Sequence, residues 1–217
     1  FCRMNETIPY IFKKMVLDAV ITTSLLYGCE TWLVDNAKDV DKLYIGAVKS
    51  LLGVRETTRN DTVLIEAGMP STTELIRKRA TKFAKNELID FDRNETPLRR
   101  IFKICELKQT NGYRFIKDLI TPNGDPEISS LLQRFETETG SKALSYKRIN
   151  PQLNVHPVYK RKVYVNERER LVFTKLRLCS HHLKIETGRW ARIDVEDRLC
   201  ECGGGIQDES HVLLSCP

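Results

Sequence analysis

A mainly α-helical fold is predicted by two features of the 217-residue chain. Apolar residues recur at the i, i+3, i+4, i+7 spacing of a buried helical stripe, and glycine stands where several of those stripes stop. A third feature marks the end of the chain, where Cys200, Cys202, His211 and Cys216 fall within seventeen residues. That cluster predicts a small segment folded around an ion, since so short a piece has no core of its own. A hydrophobic content of 41% is enough for a core elsewhere, in one large domain or two small ones.

The first helix is expected from Tyr10 to about Tyr27. It is apolar around most of its circumference, with polar residues on the Lys14, Asp18, Thr22 line, and Gly28 is its natural stop. The stretch Met15 to Val34 contains Asp18, Glu30 and several hydroxyl residues, so it reads as a buried core helix and not as a membrane span. Asp35 to Leu52 follows, with Val40, Leu43, Tyr44, Ala47, Val48 and Leu51 as its apolar face, ended by Gly53. A short helix spans Asp61 to Ala67, capped by Asn60 or Asp61, and Gly68 to Ser71 is a turn. Thr72 to about Ile89 is amphipathic. Ile76, Ala80, Phe83 and Ala84 share one face, and Lys78, Lys82 and Lys85 the opposite one. A lysine stripe reads either as a solvated face or as a face that tracks phosphates.

Shorter helical pieces are expected at Leu98–Leu107, Tyr113–Ile120 and Ile128–Thr137, the last two separated by Pro122 to Pro126. Residues 141–166 read as a basic, mostly extended connection, because Pro151, Pro157 and four valines disfavour helix. Residues 167–182 return to helix, with Val172, Phe173, Leu176 and Cys179 on one arc. Arg170 and Arg177 lie on one flank of it and Arg168 and Lys175 on the other. Three regions are therefore expected: a helical subdomain over 1–90, a partly helical and then basic connector over 91–166, and a helix plus cysteine–histidine region over 167–217.

Net charge is +6, and its distribution carries more information than its sum. Residues 140–189 hold twelve lysines and arginines against three glutamates, a local net of +9 that leaves −3 for the rest. Such a block is a footprint for a polyanion, although charge excess also serves solubility. The candidate phosphate contacts are Lys78, Lys82 and Lys85 on one helix, Lys160, Arg161 and Lys162 in the connector, and Arg168, Arg170, Lys175, Arg177 and Arg189 beyond it.

The terminal pattern reads C-x-C, eight residues, H, four residues, C. Three thiolates and an imidazole are the donor set of a tetrahedral Zn²⁺ site, and Gly203, Gly204 and Gly205 can turn the chain around it. The C-x-C pair is tighter than the usual spacing. Two other readings stand beside this one, a Cys200–Cys216 disulfide and incidental reduced thiols. The odd count of seven cysteines, four of them scattered singly at 2, 29, 105 and 179, and the lack of a signal peptide argue against a secreted disulfide framework. Cys179, His181 and His182 are alternative ligands that read as part of a helix end.

No phosphate-binding glycine loop, nucleophile elbow, H-E-x-x-H or Tyr-x-Asp-Asp occurs. The acidic groups Asp90/Asp92 and Asp194/Glu196/Asp197 lack the second carboxylate cluster of a two-metal site. The residues present do not make a complete enzyme, and a chain stopping one residue past its last ligand predicts a piece of a longer polypeptide.

Leu26-Tyr27-Gly28-Cys29-Glu30-Thr31-Trp32 resembles the segment just after the polymerase palm in LINE-type (non-LTR) retrotransposon reverse transcriptases. Leu51-Leu52-Gly53-Val54-Arg55 resembles the stretch that follows it. Arg177-Leu178 and His182 to Trp190 resemble the lead-in to the C-terminal zinc-binding region of that class. The cysteine–histidine pattern, ending in Asp208-Glu209-Ser210-His211 and Leu214-Ser215-Cys216-Pro217, is similar to its CCHC motif. The two matching ends cover about 50 residues each, and residues 90–165 resemble nothing.

The resemblance implies a thumb that grips template–primer, then a knuckle binding RNA or DNA. The parent would be an RNA-directed DNA polymerase with an endonuclease, and its Mg²⁺-binding palm aspartates are absent from this chain. Element RNA and target DNA are the implied partners, in the nucleus and cytoplasm, with no membrane. The competing reading is a zinc-stapled protein-interaction module derived from such an element.

Overall fold

The computed structural model describes residues 8–29, 37–84, 97–120, 131–160 and 166–217. Among these the chain is mainly helical, and its only extended pairing is one isolated bridge. Helix α1 is a continuous rod of Tyr10–Val16, a π-helical Leu17–Thr22 and Thr23–Leu25. It is followed by α2, Ala37–Leu52, α3, Asn60–Ala67, and α4, Thr72–Ala84. Next come α5, Pro97–Leu107, α6, Asn111–Ile120, α7, Leu131–Glu136, and α8, Ser141–Ile149. The last three are α9, Glu167–Arg177, α10, Lys184–Trp190, and α11, Glu209–Leu214. No described helix is long and apolar enough to cross a membrane.

The helix ends follow their terminators. Gly53 closes α2 at φ +70°, its amide bonded to the Ser50 carbonyl at 3.3 Å and that of Val54 to Lys49 at 3.1 Å. This left-handed cap suits glycine, which has no Cβ to clash. The same closure ends α9, but with Cys179 at φ +50°, so the helix stops at Arg177 and not at 182. Asn166 caps its start by accepting from the Arg168 amide at 2.9 Å.

One apolar cluster runs through most of the described chain. It joins Tyr10 and Leu17 of α1, Tyr44, Val48, Leu51 and Leu52 of α2, and Val63, Leu64 and Ile65 of α3. Phe135 of α7, Tyr146 of α8, Tyr159 and Leu178 complete it. The boundaries expected at 90 and 166 therefore do not separate cores, because α7, α8 and the end of α9 fill the same interior as α1 to α3.

Three further expectations are corrected. The described residues within 141–166 are not mostly extended: α8 occupies their start and a 3₁₀ turn spans Pro157–Tyr159. Ala143 and Tyr146 give α8 a buried face that outweighs the later prolines. Helix α1 is not buried all round, since Phe12, Met15 and Val20 are more than half exposed. On α2, Leu43 faces solvent while Ile45 is buried, a rotation of the apolar arc that packing on α1 and α3 imposes.

The core also encloses charge. Glu66 is fully buried and accepts from Arg177 Nε at 2.6 Å, Arg177 Nη2 at 3.0 Å and the Tyr146 hydroxyl at 2.6 Å. Glu167 accepts from Lys13 Nζ at 2.9 Å and from Arg170 Nε and Nη2, both at 2.8 Å. Burial alone raises the Glu167 pKa, yet hydrogen bonds from Arg170 and Lys13 outweigh it and hold the carboxyl below its usual range.

Candidate metal centre

Residues 198–217 have little apolar burial, and their shape comes from backbone pairing. Leu199 and Ile206 form an antiparallel bridge, the Cys200 amide donates to the Gly205 carbonyl at 2.8 Å, and the Gln207 amide donates to Arg198 at 2.8 Å. The six residues from Cys200 to Gly205 form the turn of this small hairpin, with Gly203 at φ +75°. At Gly204 a Cβ would press on the His211 ring at 3.3 Å and on Cys202 Sγ at 3.4 Å.

The second ligand pair comes from α11. Asp208 caps this helix, its carboxylate accepting from the His211 amide at 2.7 Å, which fixes the backbone of His211 itself. After one turn the chain exits, and the Cys216 amide bonds back to the His211 carbonyl at 2.7 Å.

Hairpin and helix bring four ligand atoms together. Those of Cys200, Cys202, His211 and Cys216 all lie within 4.8 Å of one another. Cys200 Sγ and Cys216 Sγ are 3.8 Å apart, and His211 Nε2 is 3.1 Å from Cys202 Sγ. A tetrahedron with metal–sulfur bonds of about 2.3 Å has edges of about 3.8 Å, so this set could hold a metal ion. The tight C-x-C spacing is no obstacle, because the hairpin turn aims both sulfurs to one side. A sulfur separation of 3.8 Å is nearly twice a disulfide bond, and both thiols are free.

Amides surround the sulfurs. The Gly204 amide donates to Cys202 Sγ at 3.3 Å, and Gln207 Nε2 approaches Cys200 Sγ at 3.8 Å. The Cys202 backbone amide, with the neighbouring Cys202, His211 and Cys216 side chains, pulls the Cys200 thiol down to about 6. Cys216, hydrogen-bonded to the Cys202 and Cys200 sulfurs, is pushed up to about 11. One sulfur is thus ready to ligate as thiolate, and a cation would draw the remaining protons away.

The centre is fastened to the helical body through α10. The Lys184 amide donates to Gln207 Oε1 at 2.9 Å, and the Ile185 amide to the Gln207 carbonyl at 3.1 Å. Arg198 is buried and, among the described residues, donates to carbonyls, Nη1 to Ile185 at 2.8 Å and Nε to Ile193 at 3.0 Å. Its side chain crosses Gly188, where a Cβ would lie 2.7–2.8 Å from Nε, Cδ and Cγ. Gly188→Ala is therefore expected to displace Arg198 and destabilise the protein by about 1–3 kcal/mol, read as a lower Tm.

The alternative ligands lie elsewhere. His181 Nδ1 accepts from the Leu183 amide at 3.2 Å, so its Nε2 carries the proton and donates to Glu209 at 2.7 Å. Cys179 is buried, and burial, with Glu209 and Glu186 nearby, raises its thiol to about 12.

The expected phosphate contacts divide. Lys78 and Lys82 are exposed on α4 opposite buried Ile76 and Ala80, and Lys160, Arg168 and Arg189 are exposed too. Arg189 lies 3.4 Å from Glu186, and Lys175 is half-buried. Lys85, Arg161 and Lys162 lie outside the described residues. Arg170 and Arg177 are corrected: both are buried in ion pairs with Glu167 and Glu66, so neither faces a phosphate. Lys142 is likewise engaged, with Glu186 at 2.9 Å. The basic block is partly internal wiring. Sequence reasoning passed over Glu66, Gln207 and Arg198, whose partners lie far along the chain or are backbone carbonyls that leave no trace in a residue pattern.

Comparison with protein-family models, curated proteins and solved structures finds no match for this chain.

Proposed function

We propose that this chain is a non-catalytic part of a LINE-type RNA-directed DNA polymerase that grips nucleic acid through surface cations and a Zn²⁺ knuckle. The observation carrying the reading is the four-atom cluster of Cys200, Cys202, His211 and Cys216. Zn²⁺ there would be structural, because four protein ligands close its shell and leave no position for a reacting water. Around it the chain's own residues do the binding. Lys78, Lys82, Lys160 and Arg168 are exposed and, among the described residues, unpaired with any carboxylate. Such cations hold a backbone without reading its sequence, as a template–primer grip requires.

The test is binding of the zinc-loaded chain to fluorescent RNA, DNA and RNA–DNA duplex over a salt series. The logarithm of affinity is expected to fall linearly with the logarithm of salt concentration, and Lys78→Glu with Lys82→Glu should flatten the slope by about 0.9 per lost duplex phosphate contact. A salt-independent response sinks the reading.

One observation favours the alternative, a zinc-stapled protein-interaction module. A cavity of about 700 Å³ beside the knuckle is lined by Phe173, Leu176, Ile185, Leu213 and Leu214. Leu213 is mostly exposed, as is Leu214. Under that reading Leu213→Asp abolishes binding to a protein partner and leaves nucleic-acid binding untouched.

A further inference from the structure

The turn after α2 and the link between α9 and α10, far apart in sequence, meet beside the knuckle. The Arg55 amide donates to Ser180 Oγ at 3.0 Å, and Arg55 Nη2 donates to the His181 carbonyl at 2.5 Å. His182 Nδ1 lies 3.3 Å from the same nitrogen. The guanidinium sits over the Trp190 ring, 4.1 Å from its centroid. Arg55, Lys175, His182 and Ser180, with Gly53 and Glu56, line a cavity of about 390 Å³.

We propose that this cavity is a nucleotide site for single-stranded nucleic acid, Arg55, Lys175 and His182 holding a phosphate while Trp190 stacks on a base. The proposal rests on the nucleic-acid reading above and names a contact for it. Arg55 spends only Nη2 on its carbonyl and histidine neighbours. With the guanidinium held over the indole, its remaining N–H groups suit a phosphate. Among the described residues neither Arg55 nor Lys175 is ion-paired, unlike Arg170 and Arg177. Glu56 is the one acid in the wall, against two permanent cations and an imidazole. Trp190 adjoins the cleft through Arg55, which covers its ring, and 53% of the residue remains exposed. Aromatic faces beside a backbone-tracking groove are how single strands are held without sequence preference. The cavity volume falls within the roughly 300–1,000 Å³ of small-ligand clefts, ample for one nucleotide.

Only two tryptophans are present, so Trp32→Phe leaves Trp190 as the sole indole reporter. In that background, single-stranded DNA and RNA 12-mers are titrated into the full metal-loaded chain, following indole emission and the anisotropy of a labelled strand. Quenching of Trp190 is expected. Lys175→Glu should weaken binding about tenfold and reduce the salt slope by about 0.7, and Lys175→Arg should restore both. Lys175→Gln and His182→Ala, which add no charge, carry the test if the reversal disturbs folding. Quenching by either strand supports the site and tells which sugar it accepts. If the 12-mers bind with an unchanged salt slope in every Lys175 and His182 variant, this site is overturned while the broader function stands. If the parent chain binds neither 12-mer, both fall.

Discussion

From a preparation loaded with Zn²⁺, withdrawing the ion with a chelator is expected to unfold residues 199–217 and leave α1 to α9 in place. Burial cannot hold that segment: α11 has no buried residue, Leu213 and Leu214 face solvent, and Cys202 is exposed. Structural zinc in small cysteine–histidine folds contributes about 10–16 kcal/mol, far beyond what two backbone rungs and a capping aspartate supply. His211→Ala or Cys216→Ser should do the same and lower the bound metal below one equivalent. Amide exchange gives the readout: protection lost over 199–217 and retained at the Arg198 and Gln207 anchors only while metal is bound. Equal protection with and without metal would show that the hairpin is self-sufficient.

Glu66→Ala is expected to be the most damaging single change in the helical body. It leaves Arg177 and the Tyr146 hydroxyl without their shared acceptor in a fully buried site. Removing one partner of a buried ion pair costs about 3–5 kcal/mol, a fall in Tm of roughly 6–20 °C for a chain of this size. The paired replacement Glu66→Leu with Arg177→Met should recover most of that loss, because the desolvation of both charges disappears together. Thermal melts of the two singles and the double measure the coupling. A Glu66→Ala protein melting within about 2 °C of the parent would refute the account.

These expectations differ in how far the residue string foretold them. The ligand set of the metal centre was legible because its signal is chemical and local: soft donors, close spacing and glycines at the turn. Helices α2, α3 and α4 were legible for a similar reason, since 3.6-residue periodicity and the glycines after α2 and α3 act within a few residues. The expected end at Ile89 lies outside the described residues. Helix α8 was missed because nearby prolines and valines argued for extension, whereas Ala143 and Tyr146 form helix to reach a core built by distant elements. The exposed flank of α1 was missed too, since a helix apolar around most of its circumference does not say how many of its sides find neighbours.

Charge shows the division most clearly. Arg168, Arg170, Lys175 and Arg177 read alike along one helix, yet two are buried against glutamates and two are not. Local composition established that cations were there, and that the last residues gather donors that could hold an ion. Which cations stay free for a ligand was settled by packing. A guanidinium is neutralised by whatever carboxylate the fold places within about 3 Å, and the partners of Arg177 and Lys13 come from 111 and 154 residues away.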